Sequence, residues 1–140
     1  MVGKIIDGIS IKLNEVFGDE YEIYSEEIKQ GFQEPCFFIL PLNLYQKQIV
    51  GQRYFKGNFF DIHYLPKREN SNADIYYTAE ILFQALEYIT VESDNLRGTN
   101  MHYEKIDGVL HFFVEYNNFI LKPTEKTSME EIAVSSGLKE

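Results

Sequence analysis

Apolar residues near the start of the chain recur at the spacing of an amphipathic helix. Ile9, Leu13 and Phe17 follow one another at intervals of four, close to the 3.6-residue period of a helix with one buried face. Gly18 stands where a left-handed residue would end such a helix. The pattern predicts a first helix over about residues 2–17.

Strand patterns occupy the next part of the chain. A brief alternation at residues 21–24 and an apolar run bracketed by Pro35 and Pro41 predict two strands, the second of them buried. Residues 43–52 have no clean period and fit either a loop or an extension of the sheet.

A longer alternation runs from Arg53 to Leu65 and ends at Pro66. Its period of two predicts a strand with two distinct faces. One face carries Phe60, Ile62 and Tyr64, and the other carries Phe59, Asp61, His63 and Leu65.

A second helical pattern follows the polar residues after Pro66. Ser71 to Asp74 form a candidate capping box, and the pattern predicts a helix over about residues 73–89. The apolar residues on its buried face are Ile75, Ala79, Leu82, Phe83, Leu86 and Ile89.

Asp107-Gly108 is a two-residue turn of the type that favours β-hairpins. It predicts strands over Met101–Ile106 and Val109–Tyr116, with Arg97-Gly98-Thr99 as a turn leading into the first. The register pairs Ile106 with Val109, Tyr103 with Phe112 and Met101 with Val114, and it places a set of apolar residues on the core side. These are Leu110, Phe112, Val114 and Tyr116.

The order of elements is helix, strands, helix, hairpin and tail. We therefore predict an α+β fold in which two helices cover one antiparallel, or mixed, sheet. A chain of 140 residues suits one core. Residues 1–122 are expected to form a single domain, and residues 123–140 a flexible polar tail with one helical turn capped by Ser128.

Charge and composition narrow the possible functions. The chain has 13 basic and 22 acidic side chains, a formal net charge of −9, which disfavours a nucleic-acid binder with a basic face. There is no apolar run of about 20 residues and no signal-peptide pattern, so we expect a soluble intracellular protein. The single cysteine, Cys36, lies in an apolar run and is expected to be a buried structural thiol.

Histidines are the main candidates for chemistry. His63 lies two residues from Asp61 on one strand face, and His111 lies on the predicted hairpin. If those strands were neighbours, Asp61, His63, His111 and Glu104 could converge as a divalent-metal or acid–base cluster. The alternative is a solvated strand face, because no metal-binding motif such as H-E-x-x-H is present. His102 is expected to be half-buried packing.

Other chemical motifs are missing from the sequence. No serine lies in a G-x-S-x-G context, and the glycines form neither a phosphate loop nor a dinucleotide fingerprint. Arg53 and Arg97 could bind an anion, but surface or inter-subunit ion pairs are the simpler expectation. We therefore predict no catalytic, cofactor-binding or metal site, and no enzyme activity.

Six segments of the chain form a recognisable pattern when taken in order. They are Phe17–Tyr24, Gln30–Ile39, Phe60–Tyr64, Ala85–Ile89, Leu96–Thr99 and Val109–Val114. Together they resemble the tail terminator family of long-tailed bacteriophages and of defective prophages in Gram-positive bacteria. The resemblance covers about residues 2–121 and is one of whole-chain pattern.

This resemblance implies a structural role. Such subunits close as a six-membered ring on the finished tail tube, contact the tube protein and the head–tail connector, and let DNA pass through the lumen without specific binding. They are made in the host cytoplasm and end at the head-proximal end of the virion tail. Six chains would carry six times −9, or −54, a charge that does not hold phosphate. The alternatives are another joining protein, such as a stopper or adaptor, and a small metal-dependent enzyme using Asp61 and His63.

Overall fold

The computed structural model describes residues 2–26, 30–67 and 71–122, together with the backbone of residues 128–129 and 131–132. By their contacts they belong to two compact units. The first unit is Met1–Tyr45 with Gly57–Asn117, and the second unit is Gln46–Lys56 with Asn118–Glu140. In chain order, the described elements are α1 (Val2–Phe17), β1 (Glu22–Tyr24), β2 (Cys36–Val50), β3 (Arg53–Leu65), α2 (Ser71–Ala85), β4 (Tyr88–Val91), β5 (Asp94–Ile106), β6 (Val109–Tyr116), β7 (Asn118–Leu121), β8 (Ser128–Met129) and β9 (Glu131–Ile132).

Seven of these strands form one sheet in the order β1-β2-β3-β6-β5-β4, with β7 also pairing with β3. β1 runs parallel to β2, whereas β3 and β6, β5 and β6, and β4 and β5 pair antiparallel. The sheet is therefore mixed, which was one of the two arrangements expected.

The core of the first unit lies between one face of the sheet and both helices. α1 packs against β1 and β4, and α2 packs against β5 and β6. Both helices and the sheet strands contribute to a single cluster of buried side chains, which confirms the predicted α+β class. The largest fully buried members are Tyr64, Tyr116, Phe37, Phe60, Phe112, Ile5, Ile9, Leu13, Ile39, Ile62, Ile75 and Leu82.

The first helix has the predicted bounds and the predicted end. Gly18 has a φ of 92°, and its N–H donates to the carbonyl oxygen of Asn14 at 2.9 Å. A left-handed residue at this position satisfies a carbonyl that the helix leaves without a partner.

The predicted bounds of the second helix were wrong at both ends. α2 spans Ser71–Ala85, so it begins two residues earlier and ends four residues earlier than predicted. Asp74, in the predicted capping box, accepts hydrogen bonds from the Tyr64 hydroxyl at 2.8 Å and from Thr78 at 3.4 Å. Ile89 is buried as predicted, but it lies on β4 opposite Leu96.

β2 also differs from its prediction, because it continues through Pro41 to Val50. β1 pairs with β2 only as far as Phe38, so beyond that point one edge of β2 has no strand neighbour among the described residues. A proline there removes no ladder hydrogen bond on that edge. Of the two alternatives for residues 43–52, the sheet extension is observed over 43–50, followed by a turn at Gly51-Gln52.

The predicted hairpin register is correct near its turn and wrong farther away. Asp107 and Gly108 both have positive φ, 51° and 77°, and the predicted pairs of Ile106 with Val109 and Tyr103 with Phe112 are observed. The register shifts between Thr99 and His102, so Met101 does not pair with Val114. This bulge is accompanied by a φ of 51° at Asn100.

The predicted turn at Arg97–Thr99 is also wrong. Those residues lie within β5, and the turn lies at Glu92-Ser93, where both residues have positive φ. The short sequence Asp94-Asn95 resembles a turn by composition, but both residues pair with β4.

Within the second unit, β7 pairs with the first residues of β3, from Arg53 opposite Leu121 to Lys56 opposite Asn118. The Lys122 N–H donates to the carbonyl oxygen of Gln52 at 2.9 Å. In the tail, β8 and β9 pair with each other, which replaces the helical turn predicted after Ser128. The rest of the predicted flexible tail lies outside the described residues.

Candidate functional site

The structure brings three of the predicted candidate ligands together on neighbouring strands. β3 supplies Asp61 and His63, and β6 supplies His111, which lies directly opposite His63. The two imidazole rings have their centroids 4.1 Å apart. Since Phe60, Ile62 and Tyr64 of β3 point into the core, the alternation of the strand places Asp61 and His63 on the face away from the helices.

Asp61 is the centre of this group. Its Oδ2 lies 2.9 Å from Nε2 of His63 and 3.0 Å from Nδ1 of His111. The side chain of Asp61 is 9% exposed, and those of His63 and His111 are 19% and 18% exposed. The second carboxylate oxygen, Oδ1, is buried and has no hydrogen-bond partner within the described part of the chain.

One predicted member does not belong to the group. Glu104 lies opposite His111 in the β5–β6 register but is exposed, and the three groups whose donor atoms lie within 4.8 Å of one another are Asp61, His63 and His111. His102 was predicted to be half-buried and is exposed, although its ring stacks on Phe113 at 4.7 Å.

A cleft opens beside the two histidines. It has a volume of about 310 Å³, and Phe32, Phe38, Ile106 and Val109 give it mostly apolar walls, with His63 and His111 at the polar side. The group is therefore reachable by small molecules or ions through this cleft.

Cys36 and Arg97 were also considered as candidates for chemistry. Cys36 is fully buried, and burial, followed by the nearby carboxylates of Glu34 and Glu22, raises the pKa of its thiol to about 11. A thiol held in this way is a poor nucleophile. Arg97 lies on the surface, 3.8 Å from a carboxylate oxygen of Glu87.

The sequence analysis did not identify a second feature, which is a set of exposed apolar side chains on strands β2 and β7. In the first unit, β2 leaves Leu42, Leu44 and Tyr45 exposed. In the second unit, Ile49 and Val50 of β2 and Phe119 and Leu121 of β7 are exposed.

The sequence did contain a sign that the later part of β2 is exposed. Residues 43–52 combine apolar side chains with the absence of any period, and a strand exposed on both faces has no period to show. All of residues 41–50 are exposed in the structure.

Comparisons with known proteins match this chain to one protein family and to 17 chains of solved structures. The family described as phage tail terminator protein matches residues 4–128. No curated protein matches the chain. One of these solved structures aligns over 89% of this chain and 98% of its own length, with 9% identity and a TM-score of 0.45.

No described helix is long and apolar enough to cross a membrane. The family match spans most of the chain and agrees with the resemblance found in the sequence. The family is a structural one, whose members take part in phage tails and meet other tail and head components. The chain belongs to the phage tail terminator family.

Proposed function

We propose that this chain is the subunit of a ring that caps the completed tail tube and provides the docking face for the head connector. Six copies form the ring, tube protein and connector are its partners, and DNA passes through the lumen without specific binding. The protein acts as a structural component and not as an enzyme.

The exposed apolar strands are the observation that carries this proposal. Val50 is 73% exposed, Phe119 is 65% exposed and Leu121 is 71% exposed. Single exposed apolar residues are ordinary on a protein surface, but several of them grouped on the strands of one small unit mark an interaction surface. In addition, β2 from residue 41 onward buries no side chain, and a strand without a buried face needs a partner to be stable.

A second copy of the chain is the partner that fits a ring. When the surface of one subunit meets a different surface of the next, the contacts close into a ring if the rotation between subunits closes. With a formal charge of −9 on each copy, long-range electrostatics oppose association, so burial of these apolar side chains has to supply the attraction.

Deletion of the gene from an inducible prophage tests the proposal. We expect unjoined capsids and tail tubes without a proper end, many of them overgrown, because nothing stops the polymerising face. Electron microscopy of the lysate measures this. Finished tails of normal length beside leaking heads would instead indicate a stopper or adaptor, and particles of normal morphology would contradict a structural role at this junction.

A further inference from the structure

We propose that Asp61, His63 and His111 form a binding site for a divalent transition-metal ion, with zinc as the best match. This site would tie β3 to β6 on the face of the sheet away from the helices. It departs from the expectation, made from the sequence, that the chain has no metal site, and it does not depend on the proposed function.

The donor set is the first argument. Two imidazole nitrogens and one carboxylate oxygen are common zinc ligands, and three protein ligands leave a fourth position for water or another small ligand. Imidazole also suits copper, nickel and iron, whereas calcium and magnesium prefer a shell of oxygens.

The positions of the donors are the second argument. In a tetrahedral site with bonds of about 2.0–2.1 Å, neighbouring ligand atoms lie about 3.3 Å apart. Asp61 Oδ2 lies 2.9 Å from His63 Nε2 and 3.0 Å from His111 Nδ1, and one donor atom from each of the three residues lies within 4.8 Å of the others. Rotations of the three side chains would bring these atoms to that spacing around an ion.

The buried carboxylate is the third argument. Asp61 as a whole residue is 6% exposed. In the described part of the chain its carboxylate contacts the two histidine rings, and no lysine or arginine pairs with it. Its Oδ1 also lacks a hydrogen-bond partner there. A buried carboxylate needs compensating positive charge, and a divalent cation between the three side chains would supply it.

Access and rigidity support the same conclusion. The cleft of about 310 Å³ reaches His63 and His111 from outside, so an ion can enter without unfolding the sheet. All three ligands lie on paired strands and not on loops, and sites on strands hold their geometry more precisely.

The test uses the full chain without an affinity tag, stripped of metal with a chelator and dialysed. Isothermal titration calorimetry with zinc chloride should show one equivalent bound, with a dissociation constant in the micromolar range or below. The thermal midpoint should rise with zinc, because an ion that binds only the folded state stabilises it. Cobalt(II) should give the visible absorption of a four-coordinate site.

Variants then locate the site. His63→Gln and His111→Gln should each weaken zinc binding about tenfold or more. The matched control is His102→Gln, which removes an exposed histidine that stacks on Phe113 outside the group, and it should still bind one equivalent.

Two results would overturn the proposal: wild-type protein that binds neither zinc nor cobalt(II), or zinc binding that survives in the His63→Gln/His111→Gln double variant. Circular dichroism of each variant without metal checks that it is folded. If either variant is not folded, the cobalt(II) spectrum of the wild type decides, since the absence of four-coordinate bands would exclude the site.

Discussion

The two units of this chain make opposite use of their apolar residues. In the first unit, side chains from both helices and the sheet close a single core, and Ile5, Phe60 and Phe112 are fully buried. In the second unit, none of residues 46–56 and 118–122 is buried, although Val50, Phe119 and Leu121 are as apolar as many core residues.

The difference distinguishes apolar side chains that stabilise the fold from apolar side chains that stay on the surface. Burial of apolar surface is the main favourable contribution to folding, and the first unit obtains it from its own chain. The described strands of the second unit obtain hydrogen bonds from the pairing of β3 with β7 and an edge-to-face contact of Phe55 with Phe119 at 5.3 Å, but little burial. Several of their apolar side chains remain exposed, and these are the ones that the proposed ring would bury.

The largest expected effect contrasts two phenylalanines, one from each unit. Phe112→Asp should unfold the protein, because an unpaired carboxylate in the core costs several kcal/mol of a total stability of about 5–15 kcal/mol. Phe119→Asp, at a side chain that is 65% exposed, should keep the fold and change stability by less than about 1 kcal/mol. Thermal unfolding followed by circular dichroism compares them, and equal effects would show that the units do not differ as described.

A smaller effect is expected where two backbones of the first unit approach closely. A Cβ at Gly98 would lie 2.5 Å from the carbonyl oxygen of Leu86 and 2.9 Å from Val114. Gly98→Ala should therefore cost about 1–3 kcal/mol, as overpacking of a dense core does.

Gly3→Ala is the control for this substitution, because a Cβ at Gly3 would meet nothing within 4 Å. It should leave stability unchanged or raise it slightly, since alanine favours helices. Chemical denaturation measures both variants. A Gly98→Ala variant as stable as the wild type would refute the close packing of β5 against the segment after α2.

The smallest effect concerns thiol reactivity. The pKa of Cys36 is raised from 9.0 to about 11. At neutral pH, the deprotonated fraction of the native thiol should therefore be about a hundredfold lower than that of an ordinary cysteine, and the thiol should react correspondingly slowly. In a Cys36→Ala background, Val50→Cys in the second unit should react at the ordinary rate. A colorimetric thiol reagent gives both rates, and fast labelling of native Cys36 would disprove its burial.

The same shift has a consequence for stability. The pKa of the Cys36 thiol is higher in the folded state than in the unfolded state, so protonation of the thiol favours the folded state. This contribution to the free energy of unfolding is fully present below about pH 9 and is lost as the pH rises through about 11. Chemical denaturation of the wild type and of Cys36→Ala across this range should show that only the wild type loses this contribution.

Local patterns predicted the parts of the fold that local forces determine. The period of α1 and the Asp107-Gly108 turn specify their structures through neighbouring residues alone, and both were predicted correctly. Ile89 misled the prediction of α2 because its spacing from Leu86 fits a helix, whereas pairing with Leu96 makes it part of a strand. That pairing belongs to the β4–β5 hairpin, whose turn at Glu92-Ser93 lacks the glycine that marks the turn at Asp107-Gly108.

The candidate site was likewise predictable only where local patterns determine it. The sequence placed Asp61 and His63 on one strand face, and alternation alone is enough for that conclusion. Whether His111 joins them depends on β3 pairing with β6 across about 50 residues of chain, and no local pattern specifies that pairing. The bulge between Thr99 and His102 was missed for a related reason, since one extra residue leaves the alternation on both sides intact.

The most direct test of the central claim is a structure of the tube end. Purified wild-type protein is mixed with tail tubes from a lysate that lacks the protein, and cryo-electron microscopy images the head-proximal ends. The account predicts a closed ring of six copies with Val50, Phe119 and Leu121 at contacts with other subunits. The folded variant with serine at all three positions should leave the ends bare. Tube ends that the wild type does not cap, or that this variant caps equally well, would contradict the account.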